Sequence, residues 1–199
     1  KIKIIKNLIK KFDNIIIVGG MANTMLKYTG SNIGKSIYDR DCENLIKAFS
    51  IILPNLNIKG QAEEPFYKAP KANAKAVLYF RSNYPRSLLH EISHYCLAGE
   101  RRRGLDDFGY WYAPCGRTAE EQQRFEEVEA RPQGLEKALC EIAGIRFSPS
   151  LDDFSGRPPS DFFLKNLEQA YQEMLLTPPH TANKVLSGLK AFWKSNGLD

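Results

Sequence analysis

The stretch Ser87-Leu88-Leu89-His90-Glu91-Ile92-Ser93-His94-Tyr95-Cys96-Leu97-Ala98-Gly99 decides how this chain is read. Leu88, Leu89, Ile92, Tyr95 and Cys96 recur at helical spacing and give a helix one apolar surface. His90 and His94 stand four apart, one above the other on the same helix face, so both imidazoles can reach one metal ion. Glu91 is one residue off that axis, placed to hydrogen-bond a metal-bound water without being a ligand. A lone histidine on an apolar helix is usually a satisfied core residue. Here the full H-E-x-x-H spacing carries two of the chain's three histidines, and that favours a metal.

The neighbouring segments fit the helix. Ala76-Val77-Leu78-Tyr79-Phe80 reads as a short buried strand. Ser82-Asn83-Tyr84-Pro85 then offers an N-cap oxygen and a proline for the first helical turn. Gly99 suits the helix stop.

Two histidines need a third protein ligand, and the helix opening at Thr118 supplies carboxylates. Thr118 and Glu121 form a T-x-x-E capping box. Glu126 and Glu129, three apart, share a face, while Glu127 points elsewhere. Either could be a solvated acidic residue; Glu129 is favoured as ligand by analogy with H-E-x-x-H enzymes that draw a glutamate from a downstream helix. Arg131 is placed to neutralise the carboxylate pair. Pro132 lacks an amide hydrogen and clashes with the Val128 carbonyl, so a bend or break is expected there.

No third histidine follows at metzincin spacing, since Tyr95 to Gly99 intervene without one. Two histidines and a carboxylate fit a zinc hydrolase, peptidase or RNase-like, with Glu91 as general base. They equally fit the facial triad of an iron oxygenase. A structural site would want a fourth ligand.

The blocks HEISHYCLAGERRR, DFGYWYAPCGRTAEEQQRFEEVEARPQ and LEKALCEIAG resemble the bacterial elongation factor P hydroxylase family from about residue 41 to 199. The resemblance implies a compact, zincin-like α+β domain, with H-E-x-x-H on a helix, a small sheet and C-terminal helices. It implies a monooxygenase-type oxidoreductase that hydroxylates a modified lysine of translation elongation factor P. A divalent metal, Fe(II), would be held by His90, His94 and a glutamate of the FEEVE block. Molecular oxygen and elongation factor P would be the partners, and cytoplasmic action follows. The chain departs from the family pattern at Cys115, where an aspartate is expected.

Tyr110-Trp111-Tyr112 sits between Gly109 and Pro114. In an extended run, Tyr110 and Tyr112 face one way and Trp111 the other. As core these would form a buried edge strand; as site residues they would wall a substrate channel around a lysine stem, with Asp106 and Asp107 attracting its charge. Arg101-Arg102-Arg103 suits a solvated helix end, or docks an acidic protein.

Residues 1–39 are different. KIKIIKNLIKKFDNIIIVGGMANTMLKYTGSNIGKSIYD resembles an internal segment of phosphoglycerate kinase. It holds seven lysines, no arginine and two aspartates, whereas residues 40–199 hold 21 basic and 21 acidic side chains. The chain's net charge of +5 therefore resides in this segment, and nucleic-acid binding by the remainder is not expected. Gly30-Ser31-Asn32-Ile33-Gly34-Lys35-Ser36 has three residues between its glycines where a P-loop needs four. So short a fragment is not expected to be a functional domain; residues 40–199 form the metal-dependent hydroxylase domain.

A chain of 199 residues is long enough for one ordinary core plus an appendage. No apolar run approaches a membrane span, and no secretory signal is evident. Cys42, Cys96, Cys115 and Cys140 lack C-x-x-C pairing and suit reduced thiols. Ser160 is expected to cap a helix over about 161–176, and Pro178-Pro179 separates it from a last helix near 181–196.

Overall fold

The computed structural model describes residues 11, 12, 16, 22, 26, 42–81, 84–109, 117–151 and 158–198. Internal contacts divide the chain into two units, Lys1–Arg40 and Asp41–Asp199. The Gly30–Ser36 segment lies outside the described residues, as do Tyr110, Trp111, Tyr112 and Cys115.

In the second unit, helix α1 (Glu43–Ile52) leads into strands β1 (Leu56–Ala62), β2 (Phe66–Lys68) and β3 (Ala76–Arg81). Helices α2 (Pro85–Leu97) and α3 (Glu100–Arg103) follow, with a 3-10 turn at Asp106–Gly109. Three longer helices complete it: α4 (Ala119–Ile142), α5 (Asp161–Leu176) and α6 (His180–Ser195). The class is α+β, as expected. No described helix is long and apolar enough to cross a membrane.

The sheet order is β1-β3-β2, with β1 parallel and β2 antiparallel to β3. Ala76, Leu78 and Phe80 are buried on alternate positions of the central strand β3. Leu88, Leu89 and Ile92 of α2 and Leu135 and Leu139 of α4 are fully buried in the same core. Burial of each such side chain contributes roughly 1.5–3 kcal/mol. Helix α2 is thus fixed between the sheet and α4.

Helix boundaries follow local chemistry, with two corrections. Tyr84 is the N-cap of α2 and its side chain makes no capping bond; Ser82 and Asn83 lie outside the described residues, and Pro85 opens the helix. Gly99 does not supply a left-handed stop. Its φ of −65° makes it the N-cap of α3, while the Ala98 amide closes α2 on the His94 carbonyl. Arg103 then donates to the carbonyls of Tyr95 and Cys96 at the end of α2 and to Thr181 Oγ1. At the other helix starts the expected caps form: Thr118 and Glu121 exchange both capping-box bonds, and Ser160 Oγ accepts the Phe163 amide hydrogen.

Of the bend or break expected at Pro132, a break does not occur; α4 runs continuously past it. The lost hydrogen bond and steric clash cost about 3 kcal/mol in isolation. Packing outweighs that cost here, because Pro132, Gln133, Gly134 and Leu135 are all buried. A Cβ on Gly134 would fall 2.7 Å from the Tyr171 amide nitrogen and 2.9 Å from Ala170. Only glycine permits α4 and α5 to approach so closely at that point.

Candidate metal centre

The helical rise brings His90 and His94 together as the spacing requires: their Nε2 atoms are 3.1 Å apart. Packing of α2 against α4 adds Glu129. Its Oε1 is 3.3 Å from His94 Nε2 and its Oε2 is 3.6 Å from His90 Nε2. One donor atom from each of the three residues lies within 4.8 Å of the others. Two imidazole nitrogens and a carboxylate form a donor set that suits zinc or iron(II).

The electrostatics agree with a preorganised site. Burial alone would lower the His90 pKa, but its bond to Glu136 and the charges of Glu129, Glu136 and Glu91 raise it to about 10. Glu129 is likewise opposed by burial, yet His94, His90 and Gln133 hold its pKa down to about 2. Glu91 follows the other course: burial raises its pKa although both histidines pull it down. Among the described residues no hydrogen bond reaches the Glu91 carboxyl.

The other expected site residues separate. Glu126 is buried, but its carboxylate accepts from Gln122 Nε2 and from Ser160 Oγ, and so secures the start of α5. Arg131 is not at the centre. It lies two residues beyond Glu129, on a different side of α4, and pairs with Glu173 of α5 at 2.6 Å. Asp107 Oδ1 accepts the Tyr67 amide hydrogen at 2.8 Å, and Asp106 Oδ1 accepts that of Ala69. Both carboxylates thereby cover the outer edge of β2. Asp107 remains close enough for its charge to raise the Glu91 pKa. Its backbone is left-handed, φ 47°, as is that of Phe108, whose ring stacks 4.1 Å from Tyr67.

Two residues at the centre escaped the reading of the sequence. Glu136 Oε2 is 3.0 Å from His90 Nδ1, and Gln133 Nε2 is 3.4 Å from Glu129 Oε2. They stand seven and four residues after Glu129, on the same face of α4. That spacing is the signal that could have found them, although it recurs on many polar helix faces.

An H-E-x-x-H helix facing a buried glutamate from a second helix defines a candidate mononuclear metal centre in an α+β protein. The elongation factor P hydroxylase family matches residues 50–199. The elongation factor P lysine hydroxylase of Haemophilus influenzae is 44% identical over 142 residues, which cover 69% of this chain and 79% of that protein. The chain belongs to the elongation factor P hydroxylase family.

The phosphoglycerate kinase family matches residues 1–68. Phosphoglycerate kinase of Agrobacterium fabrum is 45% identical over 51 residues, 26% of this chain but 13% of the kinase. The family match extends past residue 39 through α1, β1 and β2, which belong structurally to the second unit.

Proposed function

We propose that this chain hydroxylates a modified lysine of translation elongation factor P as a metal-dependent monooxygenase. His90, His94 and Glu129 hold the metal, iron(II), in a zincin-like domain spanning residues 40–199. The observation that carries the reading is the convergence of these three donors in a chain of this family. Residues 1–39 have no catalytic part in it, since they correspond to so small a share of a kinase.

The bound metal would supply oxygen activation: one oxygen atom enters a C–H bond, and the other leaves as water with two electrons from an external reductant. The protein's own groups orient and protect that chemistry. Leu88, Leu89 and Ile92 exclude water behind the histidines. Glu91, its pKa raised by burial, takes up or releases a proton at its carboxyl oxygen. Asp107 meets the cationic side chain near Glu91, and Tyr110, Trp111 and Tyr112, outside the described residues, are the aromatic side chains of the chain suited to its aliphatic stem. A translation factor as substrate implies cytoplasmic action.

Intact-mass analysis of lysine-modified elongation factor P tests the proposal. Iron-loaded protein should add one oxygen atom in air and none without oxygen, and the His94→Ala protein should add none in either case. Unmodified substrate beside metal-loaded protein, with a reductant supplied, sinks it; cleavage of peptide or RNA without oxygen would instead favour the hydrolase reading.

A further inference from the structure

Glu136 is 1% exposed, and its two carboxylate oxygens serve different partners. Oε2 lies 3.0 Å from His90 Nδ1. Oε1 accepts from Arg86 Nε at 3.2 Å and Nη2 at 3.1 Å. Arg86 is four residues before His90, on the same face of α2. Its Nη2 also donates to the Ser148 carbonyl beyond the end of α4. A carboxylate oxygen accepts hydrogen bonds, so a neutral His90 bonded to Glu136 through Nδ1 carries its hydrogen there and turns Nε2 toward His94 and Glu129.

We propose that Glu136 is a positioning residue that fixes the tautomer and ring orientation of His90, and that Arg86 sets Glu136 by occupying its other oxygen. The inference rests on His90, His94 and Glu129 being metal ligands and goes beyond it. An ion pair serving stability alone would be satisfied by Arg86, whose side chain is 36% exposed, and partly exposed pairs contribute little net stability. Here the second oxygen is directed at the far nitrogen of a ligand, the arrangement that orients histidines at metal sites. Glu129 has a parallel support. Gln133 Nε2 reaches it while donating to the Ser150 carbonyl at 2.7 Å, and Gln133 Oε1 accepts the Ser150 amide at 3.0 Å. Both supports are therefore anchored on the same short stretch of main chain, Ser148 to Ser150.

The chemistry of an amide gives a discriminating test. In Glu136→Gln the side chain has one acceptor oxygen, and Arg86, which can only donate, takes it. The amide NH2 then faces His90 Nδ1, which must accept, and the ring proton moves to Nε2, the metal-facing atom. Titration of the full chain with cobalt(II) should show affinity lowered about 10–100-fold, with an altered visible spectrum of the bound ion. Adding Arg86→Met frees the amide to flip, so the double variant should bind more tightly than Glu136→Gln alone and regain the parent spectrum. A purely structural pair predicts no such rescue, and absence of rescue overturns the proposal. Parent-like affinity and spectrum in Glu136→Gln overturn it too. Long-range proton–nitrogen NMR of the zinc-loaded parent needs no substitution: His90 should show a protonated Nδ1 and a metal-shifted Nε2, and the reverse pattern sinks the idea. If the parent binds neither ion, the metal-site reading itself fails, a result distinct from normal binding by all variants.

Discussion

Glu129 Oε1 of α4 lies 3.3 Å from His94 Nε2 of α2, whereas Glu126, one turn earlier on α4, is hydrogen-bonded to the cap of α5. Two carboxylates that share a helix face thus have different partners. Glu129→Ala should lower metal affinity by more than the roughly 10–100-fold typical of changes outside the ligand set. Glu126→Gln should retain the metal and lose about 2 kcal/mol of stability with its charged hydrogen bond. Metal titration beside chemical denaturation separates the two; full metal affinity in Glu129→Ala refutes the assignment.

Glu91 should be separable from metal binding. Glu91→Gln keeps the size and removes the ionisable group, so metal content should be unchanged while turnover falls by about 10²–10⁴-fold. Unchanged turnover would mean that proton handling at this position has no part in the reaction.

The metal-free protein should depend on pH in a defined direction. His90 has a folded pKa of about 10 against an ordinary 6.5. Its contribution to stability is present below 6.5 and lost as pH rises through about 10. Glu129 is the other side of the same interaction: its pKa, lowered to about 2 from 4.5, gives stability present above 4.5 and lost as pH falls through about 2. Thermal melts of chelator-treated protein should therefore decline between pH 6.5 and 10. Metal-loaded protein, with the His90 proton displaced, should not share this decline, and identical profiles would contradict the site.

Asp107 offers a way to divide structural from substrate effects. Asp107→Asn keeps an acceptor for the Tyr67 amide and tolerates the left-handed backbone, so Tm should hardly move. If its charge meets the cationic substrate, KM should rise with the fold intact. Asp107→Ala loses the acceptor and places alanine at φ 47°, costing about 1–3 kcal/mol. An unchanged KM in Asp107→Asn would leave Asp107 a structural residue only.

Gly134→Ala should destabilise by about 1–3 kcal/mol, because its methyl group would meet the main chain of α5. Denaturant midpoints measure this; no loss would mean that α5 shifts freely, and metal affinity read on the same samples would show whether α4 moves with it.

Much of this protein was legible because its signals are local. Four-residue spacing alone brings His90 and His94 together, and one short segment each sets the capping box at Thr118, the cap at Ser160 and the alternation in β3. What needed the tertiary structure were distinctions between locally equivalent groups. Glu126 and Glu129 differ only in what packs opposite them, and Pro132 stays helical only because close packing on both sides outweighs its local penalty. Arg131, expected beside the carboxylate pair, is directed outward to Glu173, while Arg86, which had no role in the reading of the sequence, reaches Glu136 from another helix. Periodicity determines which face of a helix a residue occupies, and so the sequence by itself set His90 and His94 together on one helix face, while the α+β class was what the family resemblance implied. Only the packing of α2 on α4 decided which carboxylate joins the histidines and which one reaches the far nitrogen of His90, because those contacts join residues far apart in sequence whose partners are chosen by shape and charge in three dimensions.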